Sequence, residues 1–160
     1  ELIARRHQQI ALIYVTPWLS TIQLRIDGFR RAMNEGGLAL RPELVRQIEV
    51  RDLRHQMQEA LNDFCRMNQP ATAVVLLNNV LGAEALYCLN QSWSLPQKPA
   101  LGCFDDLDLF DYVYPPVISV VQPIDNLADT CVDIMVRLLE VKEEVPAIPP
   151  QLIDTTLKIR

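Results

Sequence analysis

The polar side chains in this sequence that could perform chemistry stand directly after short apolar runs. Two aspartates, two asparagines, an Arg-Asp pair and a Thr-Pro-Trp segment take this place, at 105–106, 78–79, 51–52 and 16–18. Carboxylates accept hydrogen bonds from adjacent hydroxyl groups, and arginine donates several in a fixed plane. The set suits a small polar molecule and lacks nucleophile and base pairs, so it favours binding over catalysis.

The apolar runs are rich in β-branched residues and predict buried strands, whereas the segments between them have helical period. The predicted strands are 10–15, 44–50, 72–77, 99–104, 117–122 and 151–159, and the last predicted helix lies near 125–140. Strand-helix units of this kind build a doubly wound, mostly parallel α/β sheet with helices on both faces. Ligands bind beyond the carboxyl ends of such strands, so the polar segments should lie along one edge.

Each candidate binding residue also has an ordinary structural role open to it. Asp106 suits a turn, a reading that fits Asp105 less well. Asn79 suits the N-cap of the helix that follows it. Arg25, at the edge of its helix's apolar stripe, is equally well explained as a solvated arginine, and Trp18 as hydrophobic cover.

Composition limits the class of protein. A chain of 160 residues that is 49% hydrophobic predicts one domain core. The formal charge of −5, with no Lys/Arg run longer than two, argues against a nucleic-acid surface. No apolar stretch approaches the ~20 residues of a membrane span. No export signal opens the chain, which favours a cytoplasmic protein.

The cysteines argue against a metal site. Cys65, Cys88, Cys103 and Cys131 are widely separated, and neither histidine lies near them in the sequence. This spacing predicts four buried thiols in a reducing compartment rather than zinc ligands or disulfides. We expect neither a metal nor a cofactor.

Four segments carry a family resemblance. They are ARRHQQIALI, RIDGFRRAMNEGG, PATAVVLLNNVLGAEAL, and GCFDD followed by YPPVISVVQP. In order and approximate spacing they resemble the effector-binding domain of the lactose repressor/galactose repressor (LacI/GalR) family of bacterial transcription regulators, over essentially the whole chain. The resemblance implies a periplasmic-binding-protein-like fold: two α/β subdomains hinged around a ligand cleft, preceded by a DNA-binding helix-turn-helix headpiece that is absent from this chain.

The same resemblance divides the chain into three parts. Residues 1–121 would form the C-terminal subdomain of the effector-binding domain. Residues 122–146 would cross to the otherwise missing N-terminal subdomain and form a helix there, and 147–160 would return as a strand. Gln122 and Pro123 would then lie at the hinge.

The resemblance also assigns ligand contacts. Arg25, Asn78 and Asp105 match the family's effector-binding arginine, asparagine and aspartate, and we add Trp18 and Arg51 from their positions at strand ends. With Asp105 assigned to the ligand, Asp106 is left to cap or turn.

Three departures from the family pattern leave the effector open. Asn79 replaces an aspartate, Cys103 replaces a glycine, and Arg6-His7 replaces Gly-His. A sugar, a sugar acid, a phosphosugar and a nucleobase therefore all remain candidates.

Apolar side chains on the helix segment 80–89 and in the loop 108–116 predict self-association, because a monomer seldom exposes a large apolar patch. The alternative is that the loop folds back over the edge of the sheet and is covered within one chain. In the family these segments form a two-fold interface. We therefore expect a symmetric homodimer that buries Leu86, Leu109, Phe110 and Tyr112.

The predicted function is a non-enzymatic regulatory domain whose effector changes operator binding allosterically. Operator DNA would be contacted only through the absent headpiece, and no membrane is involved. One alternative is an extracytoplasmic sugar-binding protein of the same fold. Another is a magnesium-dependent receiver-like domain, although the acidic pair here follows the fourth strand and not the first.

Overall fold

The computed structural model describes residues 1–16, 19–91, 97–140 and 148–160, which contain one six-stranded sheet. Its order is β2-β1-β3-β4-β5-β6; the first five strands are parallel, and β6 is antiparallel to β5. The strands are β1 (Ile10–Val15), β2 (Val45–Ile48), β3 (Ala73–Leu76), β4 (Ala100–Phe104), β5 (Val117–Val121) and β6 (Thr156–Lys158). The predicted doubly wound, mostly parallel α/β fold is confirmed.

Helices cover both faces of the sheet and make three layers. They are α1 (Ser20–Glu35), α2 (Leu53–Arg66), α3 (Asn79–Gln91) and α4 (Ile124–Glu140). Alternate residues of β1 point to opposite faces, as the strand period requires. Leu12 packs with Ile26 of α1, whereas Ile13 lies in a larger cluster with Phe64 of α2 and Leu81 of α3.

Helix α4 differs from the other three because none of its residues is buried. The sequence predicts Leu127, Cys131, Ile134 and Leu138 on its inner side; three of these are only half-buried and Cys131 is exposed. The prediction of four buried thiols is therefore wrong for Cys131. Helical period identifies the residues that share a face, but it does not show whether another element covers that face.

The loop between β4 and β5 folds back over the sheet instead of projecting into solvent. A 3₁₀ turn, Asp108–Tyr112, inserts Phe110 into the core, where the ring is 1% exposed. Gly82 of α3 leaves room for it, since a Cβ there would lie 2.8 Å from Phe110 Cζ.

This packing corrects half of the predicted dimer interface. Phe110 and Leu86 are buried within the single chain and have almost no surface to give to a second copy. Leu109 and Tyr112 are 51% and 86% exposed and remain available. Among the described residues, no helix is long and apolar enough to cross a membrane.

Candidate ligand-binding site

The site begins at the carboxyl end of β4, where the chain turns sharply. Asp105 has a φ of 67°, in the left-handed region, and its N–H donates to Val120 O at 3.1 Å. This conformation costs a non-glycine residue about 1 kcal/mol, and such strain concentrates at functional sites. The two adjacent carboxylates of the turn pair with different arginines: Asp105 with Arg25, and Asp106 with Arg160.

Arg25 of α1 holds Asp105 in a bidentate pair. Its Nη1 donates to Oδ2 at 3.1 Å and its Nη2 to Oδ1 at 3.2 Å. Nη1 also donates to Leu77 O at 2.7 Å, and the guanidinium carbon lies 4.8 Å from the centroid of the Phe104 ring. These contacts fix the plane of the guanidinium, which gives the pair its geometric specificity.

A third partner of Asp105 comes from the segment between β5 and α4. Gln122 donates from Nε2 to Oδ1 of Asp105. This residue was predicted at the hinge from the family resemblance, not as a neighbour of the carboxylate. The contact joins the start of the α4 segment directly to the candidate site.

Asp105 lines a cleft of ≈ 520 Å³, and Arg25 holds it from outside the lining. The lining contains three carboxylates and two side-chain amides: Asn79, Asp105, Asp106, Leu107, Asp108, Val121, Gln122 and Ile124. Within the part of the chain that the structure describes, Arg25 Nε and one hydrogen of Nη2 have no acceptor. The pair therefore combines carboxylate acceptors that line the cleft with an arginine that keeps donors of its own, and neighbouring hydroxyl groups use both kinds of partner.

Asp106 takes part in an ion-pair network on the other side of the turn. It accepts from Ser119 Oγ at 2.6 Å and from Arg160 Nη2 at 2.8 and 3.1 Å, and Lys158 Nζ lies 3.5 Å away. Burial raises the pKa of Asp106, but the Ser119 hydrogen bond and Arg160 outweigh it, so the pKa is below its usual value. Asp106 lies in the turn, as predicted, but its carboxylate also binds Ser119 of β5 and Arg160, which follows β6 and lies 54 residues further along the chain.

Asn78, and not Asn79, caps α3. Its Oδ1 accepts from the N–H of Leu81 at 2.8 Å. That bond uses one of the two lone pairs of Oδ1, so Asn78 caps the helix, and its predicted contact with a ligand stays a prediction. Asn79 is the first residue of α3 and lines the cleft.

One other predicted ligand contact, Arg51, is not brought to Asp105. Trp18 lies outside the described residues. Arg51 is exposed in the 3₁₀ turn Val50–Asp52 after β2. Since β2 is three strands from β4, the two strand ends are about 14 Å apart at ~4.8 Å per strand. The strand order, which the sequence does not encode locally, separates Arg51 from the site.

The site shows no sign of metal or thiol chemistry in the described ranges. No group of three or more His, Cys, Asp or Glu side chains in those ranges could hold a metal ion. Cys103, next to the cleft residues in sequence, is buried, and burial raises the pKa of its thiol to about 12. A thiol of that pKa is protonated at neutral pH and is a packing group.

The fold agrees with what comparison with known proteins shows. The family described as periplasmic binding protein-like domain matches residues 1–160, so the chain belongs to that family. Its relatives include LacI-family repressors, as the sequence resemblance indicated.

Three relatives illustrate the match. A probable opine utilization operon repressor from Rhizobium rhizogenes is 25% identical over 155 residues, which are 91% of this chain and 76% of that protein. The ribose operon repressor of Escherichia coli (strain K12) is 27% identical over 139 residues, 85% of this chain and 41% of the repressor. The crystal structure of a LacI-family regulatory protein from Chloroflexus aggregans superposes with a TM-score of 0.74 at 25% identity, over 89% of this chain and 51% of that one. The chain thus spans about half the length of many of its relatives.

Proposed function

We propose that this chain is the effector-binding part of a bacterial transcriptional regulator, in which Arg25 and Asp105 hold a small sugar-like molecule. The observation that carries the proposal is the bidentate Arg25–Asp105 pair, in which Asp105 lines a cleft and Arg25 keeps unused donors. The chemistry is binding only. A ligand with adjacent hydroxyl groups donates to the Asp105 carboxylate and accepts from the Arg25 guanidinium.

The charge of the lining narrows the ligand class. Arg25 balances Asp105, and Arg160 with Lys158 balances Asp106 and Asp111, which leaves Asp108 as an exposed carboxylate at the cleft. Like charges at short range repel, so this half of the cleft favours a neutral polyol or a nucleobase over a phosphosugar or a sugar acid.

The proposed domain organisation follows the family pattern. Residues 1–121 form the C-terminal subdomain, 122–146 cross to the N-terminal subdomain, and 147–160 return; the boundary at 146 falls outside the described residues. The half-buried inner side of α4 supports this division, because a helix that packs against this sheet would be buried as α2 and α3 are. Gln122 and Pro123 then form the hinge, and the Gln122–Asp105 hydrogen bond ties hinge position to ligand occupancy.

In the whole protein, the effector favours one hinge state because it binds the two states with different affinity. A homodimer in which the exposed Leu109 and Tyr112 lie at the interface passes that state to DNA-binding headpieces. The protein acts in the cytoplasm, where operator DNA is located.

Thermal unfolding of the complete gene product tests the proposal. Four compounds serve as probes: D-ribose, hypoxanthine, glucose 6-phosphate and gluconate. At a hundredfold excess over its Kd, a bound ligand stabilises by about 2.7 kcal/mol, which raises the Tm by roughly 5–10 °C. We expect D-ribose or hypoxanthine to do so, and the two anions not to.

Variants locate the binding. Asp105→Asn and Arg25→Gln should abolish the shift in Tm. Arg30→Gln, an exposed arginine further along α1, is the matched control and should preserve it. A stabilising compound whose effect survives both Asp105→Asn and Arg25→Gln would contradict the assigned site, and no shift with any of the four would contradict the ligand class.

A further inference from the structure

The turn after β4 is fastened to the end of the chain by a network that we call the clasp: Asp106, Asp111, Ser119, Lys158 and Arg160. At its centre is Arg160, whose side chain is 10% exposed. Its Nε donates to Asp111 Oδ1 at 2.6 Å, its Nη1 to Ser119 Oγ at 2.8 Å and to Val117 O at 3.1 Å, and its Nη2 to both oxygens of Asp106. All three guanidinium nitrogens of Arg160 therefore donate to acceptors of the protein.

The clasp holds both ends of the loop that begins with Asp105. Asp106 lies at its start and Asp111 in its 3₁₀ turn, while Ser119 belongs to β5. Arg160 also lies over the Phe110 ring, with its guanidinium carbon 5.8 Å from the centroid. Asp105 is in a strained left-handed conformation and is bonded covalently to Asp106, so anything that fixes Asp106 restricts Asp105.

We propose that Arg160 is a positioning residue for Asp105. It makes no contact with the cleft, but through Asp106 it keeps the turn in the one conformation that aims Asp105 at Arg25. Two observations carry this inference: the saturation of Arg160 by the clasp, and the positive φ of the adjacent Asp105. That Arg160 affects effector binding rests on the proposed function. That Arg160 positions Asp105 does not depend on it.

Two ligand-free measurements on the complete gene product test the proposal. Hydrogen exchange reports on the Asp105 amide, which is bonded to Val120 O. Nitrogen-15 NMR of arginine side chains reports on Arg25, because its bidentate pair with Asp105 hinders rotation of the guanidinium nitrogens and separates their signals. An Arg25→Lys variant assigns those signals by their loss.

In Arg160→Gln we expect the Asp105 amide to exchange at least about tenfold faster and the separate Arg25 signals to merge. The amides of β1 and β3 should exchange as in the wild type. Lys158→Gln is the matched control: it removes a cation from the same end of the chain, but Lys158 Nζ is 3.5 Å from Asp106 and makes no bond to Ser119. It should change the exchange of Asp105 less than about twofold.

Unchanged Asp105 exchange and unchanged Arg25 signals in Arg160→Gln would overturn the proposal. An equal loss of protection throughout β1 and β3 would also overturn it, because Arg160 would then only stabilise the fold. If Arg160→Gln does not fold, Asp106→Asn, which keeps the side chain's size, decides by the same two measurements. A failure of the proposed function would instead show as an absence of ligand stabilisation with both signals intact.

Discussion

Two neighbouring aspartates each pair with an arginine, and the two pairs differ in what they leave unused. All three guanidinium nitrogens of Arg160 donate to protein acceptors, and Asp106 also accepts from Ser119 Oγ. Arg25 keeps donors without an acceptor in the described ranges, and its partner Asp105 lines a cleft. We expect the saturated pair to maintain structure and the unsaturated pair to bind a ligand.

The same difference appears in the backbone. The Arg25–Asp105 pair contains the residue with the strained backbone, Asp105. The Arg160–Asp106 pair supplies the hydrogen bonds that hold the neighbouring residue in place. Substitution of Asp106 should therefore mainly lower the stability of the fold, and substitution of Asp105 should mainly lower the affinity for a ligand.

The largest effect is expected under the clasp, at Phe110. Phe110→Asp places a carboxylate in the core beside Gly82 and should lower the free energy of unfolding by about 4 kcal/mol or prevent folding. Urea unfolding at submicromolar protein measures it. Leu109→Asp, at the half-exposed neighbouring position, should cost about 0.5 kcal/mol under the same conditions. Similar losses for the two variants would show that the loop does not fold over the sheet.

The next effect separates the two aspartates directly. Asp106→Ala removes charge-assisted hydrogen bonds and leaves Arg160 partly unpaired, so it should cost about 2 kcal/mol. Asp105→Gly also loses an ion pair, but glycine adopts a φ of 67° without strain, so stability should change by less than about 1 kcal/mol.

For ligand affinity, the substitution of Asp105 should have a larger effect than the substitution of Asp106. With whichever of D-ribose or hypoxanthine stabilises the wild type, Asp105→Gly should lower affinity on the order of a hundredfold by calorimetry. Equal stability losses for Asp105→Gly and Asp106→Ala would remove the distinction between the two pairs.

How far the sequence predicts this molecule depends on the range of the interactions. Strand β1 was predicted at its observed limits, because a buried run of β-branched residues is a local signal. The Arg25–Asp105 pair was reached only through a family resemblance, since 80 residues separate its members. The clasp was missed because nothing near Asp106 in the sequence points to Arg160. Phe110 was assigned to an interface because an apolar residue in a loop looks the same whether its own chain or a second copy covers it.

A smaller effect should appear with pH. Because the pKa of Asp106 is lower in the folded protein than its usual value, the carboxylate contributes stability above the unfolded-state pKa of ~3.9, and this contribution is lost as the pH falls through the lower, folded value. Asp106→Asn has no such group. The difference in unfolding free energy between wild type and Asp106→Asn should therefore be constant from pH 7 to 5 and shrink from pH 4 to 3. A difference that stays constant down to pH 3 would contradict the pairing with Arg160.

The smallest effect on the fold, and the one that tests association, is expected at Tyr112. Its side chain is 86% exposed, so Leu109→Asp combined with Tyr112→Asp should hardly change the stability of one chain. In a two-fold interface, however, both copies of the chain would bring unpaired carboxylates into the desolvated contact. The complete gene product should therefore shift from dimer to monomer in sedimentation equilibrium at micromolar protein. Leu24→Asp is the control, because Leu24 is 69% exposed on α1 at the opposite face of the sheet. It should leave the dimer intact. A wild type that is already monomeric at these concentrations, or an equal response to Leu24→Asp, would show that the exposed face of this loop does not mediate self-association.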